Sequence, residues 1–440
     1  MAATLSFSPP NPPPPFPDHP KLIRPRHSRC RDDTLLRCLL AITRTPLPGK
    51  AALIAAMKAS SLLPSARLGR AVHARILKAA LGTDRFVASS VVGFYSSLSD
   101  SDSARQVFDE IPVKDAALHT ALLVGYARNG EITKARILFD EMVEKDVVAW
   151  NAMVSCYSHC GLPEKALDLF REMQISSCRP NEVTLIAALS ACSQLGCIDL
   201  GEWIHGYLTR HPEVKRTTTL NNSLVHLYAK CGRIDAALEL FLDYKSKNLE
   251  SWNTMLTGLA VNGCGTGALS LFGQMIKLGV RPDRISFVAI LMACSHVGMI
   301  DNARRCFSCM KSVYGIEPKV EHYGCLVDVL SRGGRLEEAK LLLESMPFEP
   351  NASAWGALLG GCFAHGDYEL GIVAAKRLLE LEPWEESRYV ALQNLYAVVG
   401  RTEDALMVRK MMRRLGIEQS SGTSMIEVEG AVHEFLAGDV

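Results

Sequence analysis

The chain has 440 residues, with 48 Lys and Arg against 47 Asp and Glu and a formal charge of +1. That balance lacks the basic excess by which nucleic-acid binders usually displace phosphate counterions, and no apolar run approaches the roughly eighteen residues needed to span a bilayer. Fourteen cysteines scattered mostly along helical faces suit a reducing compartment and do not form a disulfide framework.

Residues 1–48 read differently from everything after them. No charge occurs from Met1 to Pro17, proline dominates from Pro9 to Pro20, and Lys21, Arg24, Arg26, Arg29 and Arg31 follow with Asp18 as the only acid before Asp32. An acid-poor, Arg-containing, hydroxyl-bearing N-terminus reads as an organelle transit peptide; the proline tract alone also suits an aromatic groove. Met1-Ala-Ala-Thr leans towards a plastid (chloroplast), with a mitochondrion as the other destination. This segment holds seven Lys and Arg against three Asp, a charge of +4, so the remainder carries about −3. Only local patches are then left to meet phosphate.

From residue 49 the chain is periodic. Trp150 and Asn151 return as Trp252 and Asn253, Arg179-Pro-Asn181 as Arg281-Pro-Asp283, and Ala191-Cys-Ser193 as Ala293-Cys-Ser295, a spacing of 102 residues. The first period divides into 35 residues (147–181), 36 (182–217) and 31 (218–248). A unit of this length cannot bury its apolar face alone, so units stack into a solenoid with a long concave surface. Each unit reads as two amphipathic helices. Trp150, Met153, Val154 and Tyr157 recur at helical spacing, Gly161 breaks the chain, and Ala166, Leu167, Phe170 and Met173 resume the period before Pro180. Ala104, Ala135, Ala166, Ala236, Ala268, Ala303 and Ala339 mark where helices come too close for a larger side chain. No strand-like alternation competes, and the predicted fold class is all-α.

Tetratricopeptide repeats use similar hairpins but hold one length near about 34 residues. The alternation of three lengths, with Val147-Val-Ala-Trp-Asn-Ala-Met, Leu227-Tyr-Ala-Lys-Cys-Gly and Arg281-Pro-Asp, resembles instead the pentatricopeptide repeat family of land plants, and within it the subclass built from P, L and S units. The resemblance implies a right-handed superhelical solenoid of stacked antiparallel helical hairpins. It gives an array over residues 49–351: L at 49–84, S at 85–115 and 116–146, then P, L and S twice, from Val147 and from Leu249. Residues 352–419 (Trp355-Gly-Ala-Leu-Leu, Leu379-Glu-Leu-Glu-Pro, Leu395-Tyr-Ala, Val408-Arg-Lys-Met-Met) resemble the paired E motifs of that subclass, and 420–440 resemble the E+ tail that follows them. Ser421-Gly-Thr-Ser-Met425 departs from the tail's Pro-Gly-Cys-Ser-Trp.

Arrays of this kind take one base per repeat, read by two or three side chains. In the family the fifth and last residues of a unit face the base edge, and the second packs against base faces. Carried over, the reading pairs are Ser89 with Asp115, Thr120 with Asp146, Asn151 with Asn181, Asn222 with Asn248, and Asn253 with Asp283; the stacking residues are Phe86, Val148 and Thr219. All ten pair members bear hydroxyl, amide or carboxylate groups, able to match a Watson–Crick edge. The rival for last-position residues is helix capping, in which Asp or Asn accepts from free N–H groups of the next helix. Capping explains the fifth-position residues poorly, since Asn, Ser and Thr inside a helix are weak helix formers. By resemblance the register is G, G, pyrimidine, unspecified, pyrimidine, U. Leu53, Ile186 and Val288 in the L units carry no polar group at the fifth place, Gly324 with Asn351 is weak, and Glu250 stands where an apolar stacking residue is expected.

Arg409, Lys410, Arg413 and Arg414 form a basic patch at helical spacing. It serves as a phosphate or partner contact, or as a solvated helix end favoured by the helix dipole; the face bearing Met411, Met412, Arg413 and Arg414 is the expected partner surface. A zinc deaminase needs H-x-E followed by P-C-x-x-C. His211-Pro-Glu213 and Cys306-Phe-Ser-Cys309 imitate the halves, but Arg305 replaces the Pro and the halves lie in separate regular repeats. No metal, cofactor or catalytic residue is therefore expected. The resemblance implies a non-enzymatic, sequence-specific binder of single-stranded organellar RNA, a specificity factor for C-to-U editing that recruits a DYW-type deaminase in trans. The alternatives are RNA splicing, processing or stability, and a protein-protein scaffold; no membrane partner is implied.

Overall fold

A computed structural model describes residues 48–62, 66–176, 178–417, 423–428 and 431–436; the expected transit segment therefore lies almost wholly outside the described residues. The chain divides into two compact units, Met1–Ser246 and Lys247–Val440. Among the described residues both are built from antiparallel helical hairpins, as the 3.6-residue periodicity implies.

One hairpin shows why the sequence folds this way. Asp146 caps the Val147–His159 helix, whose Trp150, Met153, Val154 and Tyr157 are buried. Gly161 takes φ +71, a left-handed conformation that ends the helix without a Cβ penalty. Pro163 then opens Pro163–Ile175 as its first residue, where a missing N–H does no harm, and Ala166, Leu167, Phe170 and Met173 are buried beneath it. Helix onsets at Arg85, Ala116, Val147, Glu182, Thr218, Leu249 and Arg284 coincide with the unit starts assigned above.

Within each compact unit the first helices of successive repeats pack on one another in a continuous row. Among the described residues of each unit, second helices pack on their own first helix and the next one in that unit, and no two second helices pack on each other along the backbone. In Lys247–Val440 the row runs through Leu249–Val261, Arg284–Val297, Val320–Arg332 and Ala352–His365 and stops there. The Glu386–Val398 helix packs on Tyr368–Leu381 instead.

The column of small residues needs correction. In the Ile234–Asp243 helix the fully buried alanine is Ala237, while Ala236 is only part-buried. The 102-residue spacing from Ala339 leads to Ala237, and from Ala303 to Gly201, so the column includes a glycine that an alanine search passes over. A Cβ on Gly201 would lie 2.0 Å from Leu227 Cδ2, and one on Gly69, a further member, 2.1 Å from the Phe94 ring. At both places a second helix lies too close to the next first helix for a Cβ without movement of the facing side chain.

The tail supplies the second correction. Thr423–Val428 pairs antiparallel with Ala431–Leu436, in register Thr423↔Leu436 through Val428↔Ala431. Neither run alternates strictly; the available signal was the β-branched and aromatic residues Ile426, Val428, Val432 and Phe435 on either side of Glu429-Gly430. Two six-residue runs were too short to stand out against the helical period.

Candidate nucleic-acid interface

Every last-position residue proposed as base-reading also caps the next helix. Asp115 accepts from Leu118 N (2.9 Å), Asp146 from Ala149 N (2.8 Å), Asn181 from Thr184 N (3.2 Å), Asn248 from Ser251 N (2.9 Å) and Asp283 from Ser286 N (3.0 Å). Such a cap contributes about 1 kcal/mol to its helix. Capping is thus real, and it leaves the second carboxylate oxygen or the amide nitrogen of each residue for other partners.

The fifth-position residues reach the same caps from inside the preceding first helix. Asn151 Nδ2 donates to Asn181 Oδ1 (3.1 Å), and Asn253 Nδ2 donates to Asp283 Oδ1 (3.0 Å). Thr120 Oγ1 makes a longer contact of 3.4 Å to Asp146 Oδ1. The Asn networks contain a third member that sequence reading missed. Thr184 Oγ1 donates to Asn151 Oδ1 (2.5 Å), and Ser286 Oγ to Asn253 Oδ1 (2.6 Å); both hydroxyls are fully buried and also accept from the cap's backbone N–H. A hydroxyl three residues after the cap, repeated at 102-residue spacing, was the available signal. The same triad, built twice from different residues, holds each Asn amide in one orientation.

Two pairs differ. Ser89 is not joined to Asp115: its hydroxyl donates to Arg85 O (2.9 Å), while Asp115 faces the Arg85 guanidinium at 3.6 Å. Asn222 accepts at Oδ1 from the Tyr244 hydroxyl (2.9 Å), and its buried Nδ2 has no partner.

The second-position residues Phe86, Val148 and Thr219 are exposed, the first two by 56% and 52%. Val183 and Ile285, at the same place in the L units, are exposed equally and were passed over because their fifth residues are apolar. Residues two and five of a helix share a face, so an uncovered large apolar group lies beside Ser89 (Phe86) and beside Asn151 (Val148), while Asn222 has the polar Thr219 there. Phe86 is flanked by Lys50 and Arg85, 5.1 and 5.0 Å from the ring centroid. Glu250 is exposed at the equivalent place.

Arg409, Lys410, Arg413 and Arg414 are exposed and make no ion pair among the described residues, whereas nearby Arg377, Arg388 and Arg401 pair with Glu380, Glu382 and Asp404. The expected partner face is corrected in one respect. Met412 is buried against its hairpin, and the exposed apolar residues there are Leu406, Met407 and Met411, with Trp384 nearby in sequence. Among the described residues no three His, Cys, Asp or Glu side chains converge as metal ligands. His211 bonds Glu213 at 2.9 Å, and burial pushes the Cys306 thiol up to about 12. No described helix is long and apolar enough to cross a membrane.

Family models match along the chain: a PPR repeat family over residues 145–194, PPR repeats over 118–147, 222–249 and 250–280, a pentatricopeptide repeat domain over 270–335, and an E motif over 365–427. A pentatricopeptide repeat-containing protein of Arabidopsis thaliana is 42% identical over 84% of this chain and 70% of its own length. A second from that plant, named chloroplastic, is 43% identical over 91% and 72%; a third, named mitochondrial, is 41% identical over 89% and 57%. The solved structure of the pentatricopeptide repeat protein PPR10 with an 18-nt psaJ RNA element superposes with a TM-score of 0.62, covering 88% of this chain and 62% of that one. At 18% identity, that likeness is one of fold.

Proposed function

Since this chain belongs to the pentatricopeptide repeat family, we propose that its array binds single-stranded organellar RNA by sequence and serves as a specificity factor for C-to-U editing, with a deaminase supplied in trans. The observation that carries this reading is the twice-built triad of Asn151, Asn181 and Thr184 and of Asn253, Asp283 and Ser286, beside exposed second-position residues. An oriented amide next to an uncovered apolar side chain, as at Asn151 beside Val148, suits a stacked, hydrogen-bonded base, whereas Asn253 has Glu250 at that place. The proposed readers are the five pairs assigned above, with Phe86, Val148 and Thr219 as stacking groups. Arg409, Lys410, Arg413 and Arg414 would meet phosphate or the partner. The E motif match favours editing over splicing, processing or stability. The domain assignment follows: residues 1–48 target, 49–351 read, 352–419 recruit through Leu406, Met407 and Met411, and 420–440 form the tail.

Gel-shift titration tests the reading. The protein is expected to bind a single-stranded oligomer carrying G-G-pyrimidine-x-pyrimidine-U more tightly than its scramble, with affinity falling as salt rises. Supplied with a deaminase-bearing partner, it is expected to edit its transcript, and deletion of residues 352–440 to abolish editing while sparing binding. Equal affinity for oligomer and scramble sinks sequence reading; editing that survives the deletion leaves RNA binding in service of another process.

Residues 1–48 are proposed to direct import into a chloroplast or mitochondrion, the two compartments named for the relatives. A protein lacking them is expected to stay outside both organelles with unchanged helicity by circular dichroism. Import of the truncated chain would remove the assignment.

A further inference from the structure

The row of first helices ends at Ala352–His365 for a reason visible at one position. In every repeat from residue 85 to residue 350 the twelfth residue of the first helix is serine or alanine. Within each compact unit that residue meets the next first helix. A Cβ on Gly125 would lie 2.1 Å from Ser96 Oγ, and one on Gly361 2.6 Å from Ser331 Cβ. Ser158 Oγ donates to Ser190 Oγ at 3.1 Å, and Ser295 Oγ donates to Asp328. The twelfth residue of Ala352–His365 is Phe363, which is 41% exposed. Where a serine already touches the next helix, a phenyl ring holds that helix off.

The ring is left on the face that carries the proposed readers. Residues two, five, nine and twelve of a helix share one face at 3.6 residues per turn; here they are Ser353, Gly356, Gly360 and Phe363. A Cβ on Gly356 or Gly360 would meet nothing within 4 Å, so bare backbone leads from the fifth position to the ring, about 10 Å along the helix. Asp328, on the same face of the preceding first helix, is matched by Arg332 at 3.0 Å. Single exposed phenylalanines are ordinary. This one breaks a column kept small through every preceding repeat, and among the described elements Ala352–His365 packs only on Val320–Arg332, Leu336–Glu344 and Tyr368–Leu381.

We propose that Phe363 is a stacking platform for an RNA base beyond the read sequence: a nucleotide carried past the last polar reader lies along the Gly356–Gly360 trough with its base against the ring. The inference rests on the reading above, in which the row of first helices carries one base per repeat. Within Lys247–Val440 that row is continuous from Leu249–Val261 to Ala352–His365, so the strand that meets Asn253 has a surface to follow as far as Phe363. Stacking on an aromatic side chain needs only a π-face, which every base has. With glycine at the fifth position nothing on this helix selects among base edges, so the platform holds any base. Counting one repeat per nucleotide from Leu249, whose repeat takes the U, the helix that begins at Ala352 falls on the third nucleotide after it.

The test uses the full chain and the G-G-pyrimidine-x-pyrimidine-U oligomer extended by three nucleotides after the U, the third of them either intact or an abasic ribose. The two ligands carry the same phosphates and differ by one base. The unmodified protein is expected to bind the intact oligomer about fivefold more tightly, the lower end of what a base stacked on an aromatic side chain is worth, and by a similar factor for each of the four bases. Phe363→Ala is expected to bring the ratio to one, and Phe363→Tyr, which keeps a ring, to retain it. Because each ratio compares two ligands on one protein sample, a loss of folded fraction cancels. A Phe363→Ala ratio equal to the parent's overturns the inference; if that variant also fails to edit with the deaminase-bearing partner, the ring belongs to a protein contact. A parental ratio of one, in a protein that still prefers the read sequence to its scramble, overturns the platform and leaves the array's reading standing. Equal binding of the read sequence and its scramble removes that reading, and the inference goes with it.

Discussion

Asn253→Thr is expected to move the preferred base at one nucleotide from uracil towards guanine, by about tenfold or more in relative affinity, since a well-aligned two-point contact with a base edge discriminates by about 1–3 kcal/mol. The chain already contains the product of this change. Thr120 stands at the fifth position before Asp146, with its hydroxyl 3.4 Å from Oδ1, and Asn253 stands at the same place before Asp283 at 3.0 Å. Threonine at 253 loses the amide donor and relaxes the carboxylate, as in the Thr120 repeat. Ser286 Oγ loses the acceptor it has at 2.6 Å but keeps Asp283 Oδ1 at 3.0 Å, so the buried hydroxyl is not orphaned. The stability loss is therefore held to about 1 kcal/mol. Four oligomers differing at that nucleotide measure the switch. A lower melting temperature with an unchanged order of bases would mean that Asn253 and Asp283 only cap and pack.

Gly69→Ala carries the largest expected effect on stability. The added methyl would stand 2.1 Å from two ring carbons of Phe94, which is fully buried. Overpacking of this kind costs about 1–3 kcal/mol, and helix propensity returns only about 1 kcal/mol. Gly201→Ala meets the tip of Leu227, a flexible side chain, and is expected to be milder. Adding Phe94→Leu to Gly69→Ala should make the double variant more stable than the sum of the single losses, a coupling that a thermal or urea double-mutant cycle reads directly. A Gly69→Ala protein that melts with the parent would show that this contact does not limit how the hairpins nest.

Much of this architecture was legible because each unit announces its own start. Asp115, Asp146, Asn181, Asn248 and Asp283 are good caps followed by apolar residues at helical spacing, and the helices begin where those residues place them. What escaped has specific causes. Ala236 and Ala237 are adjacent, so composition alone could not choose between them. Gly201 sits where the eye expects alanine. Thr184 and Ser286 look like ordinary first-turn residues until the amide oxygen they touch is seen. The Tyr244 contact was beyond reach altogether: it is made by returning through a whole second helix, and no local pattern encodes that distance. Conversely, the polar character of the fifth position was plain from the sequence, because an amide inside a helix has no propensity to recommend it.

The shared use of one oxygen, to begin a helix and to anchor the neighbouring reader, has a consequence for how such a protein changes over generations. The last position of a unit draws from a short alphabet of capping residues, Asp and Asn in the assigned pairs and Thr217 in one L unit, because a side chain without a capping oxygen would fray the helix that follows. On the proposed reading, substitution within that alphabet would rewrite a letter of the recognised message while leaving every hairpin intact. Substitution outside it damages the reader before the new message can be tried. The fold would thereby filter its own variation, so that, if the proposed reading holds, the accessible mutational steps lead mostly from one legible RNA target to another.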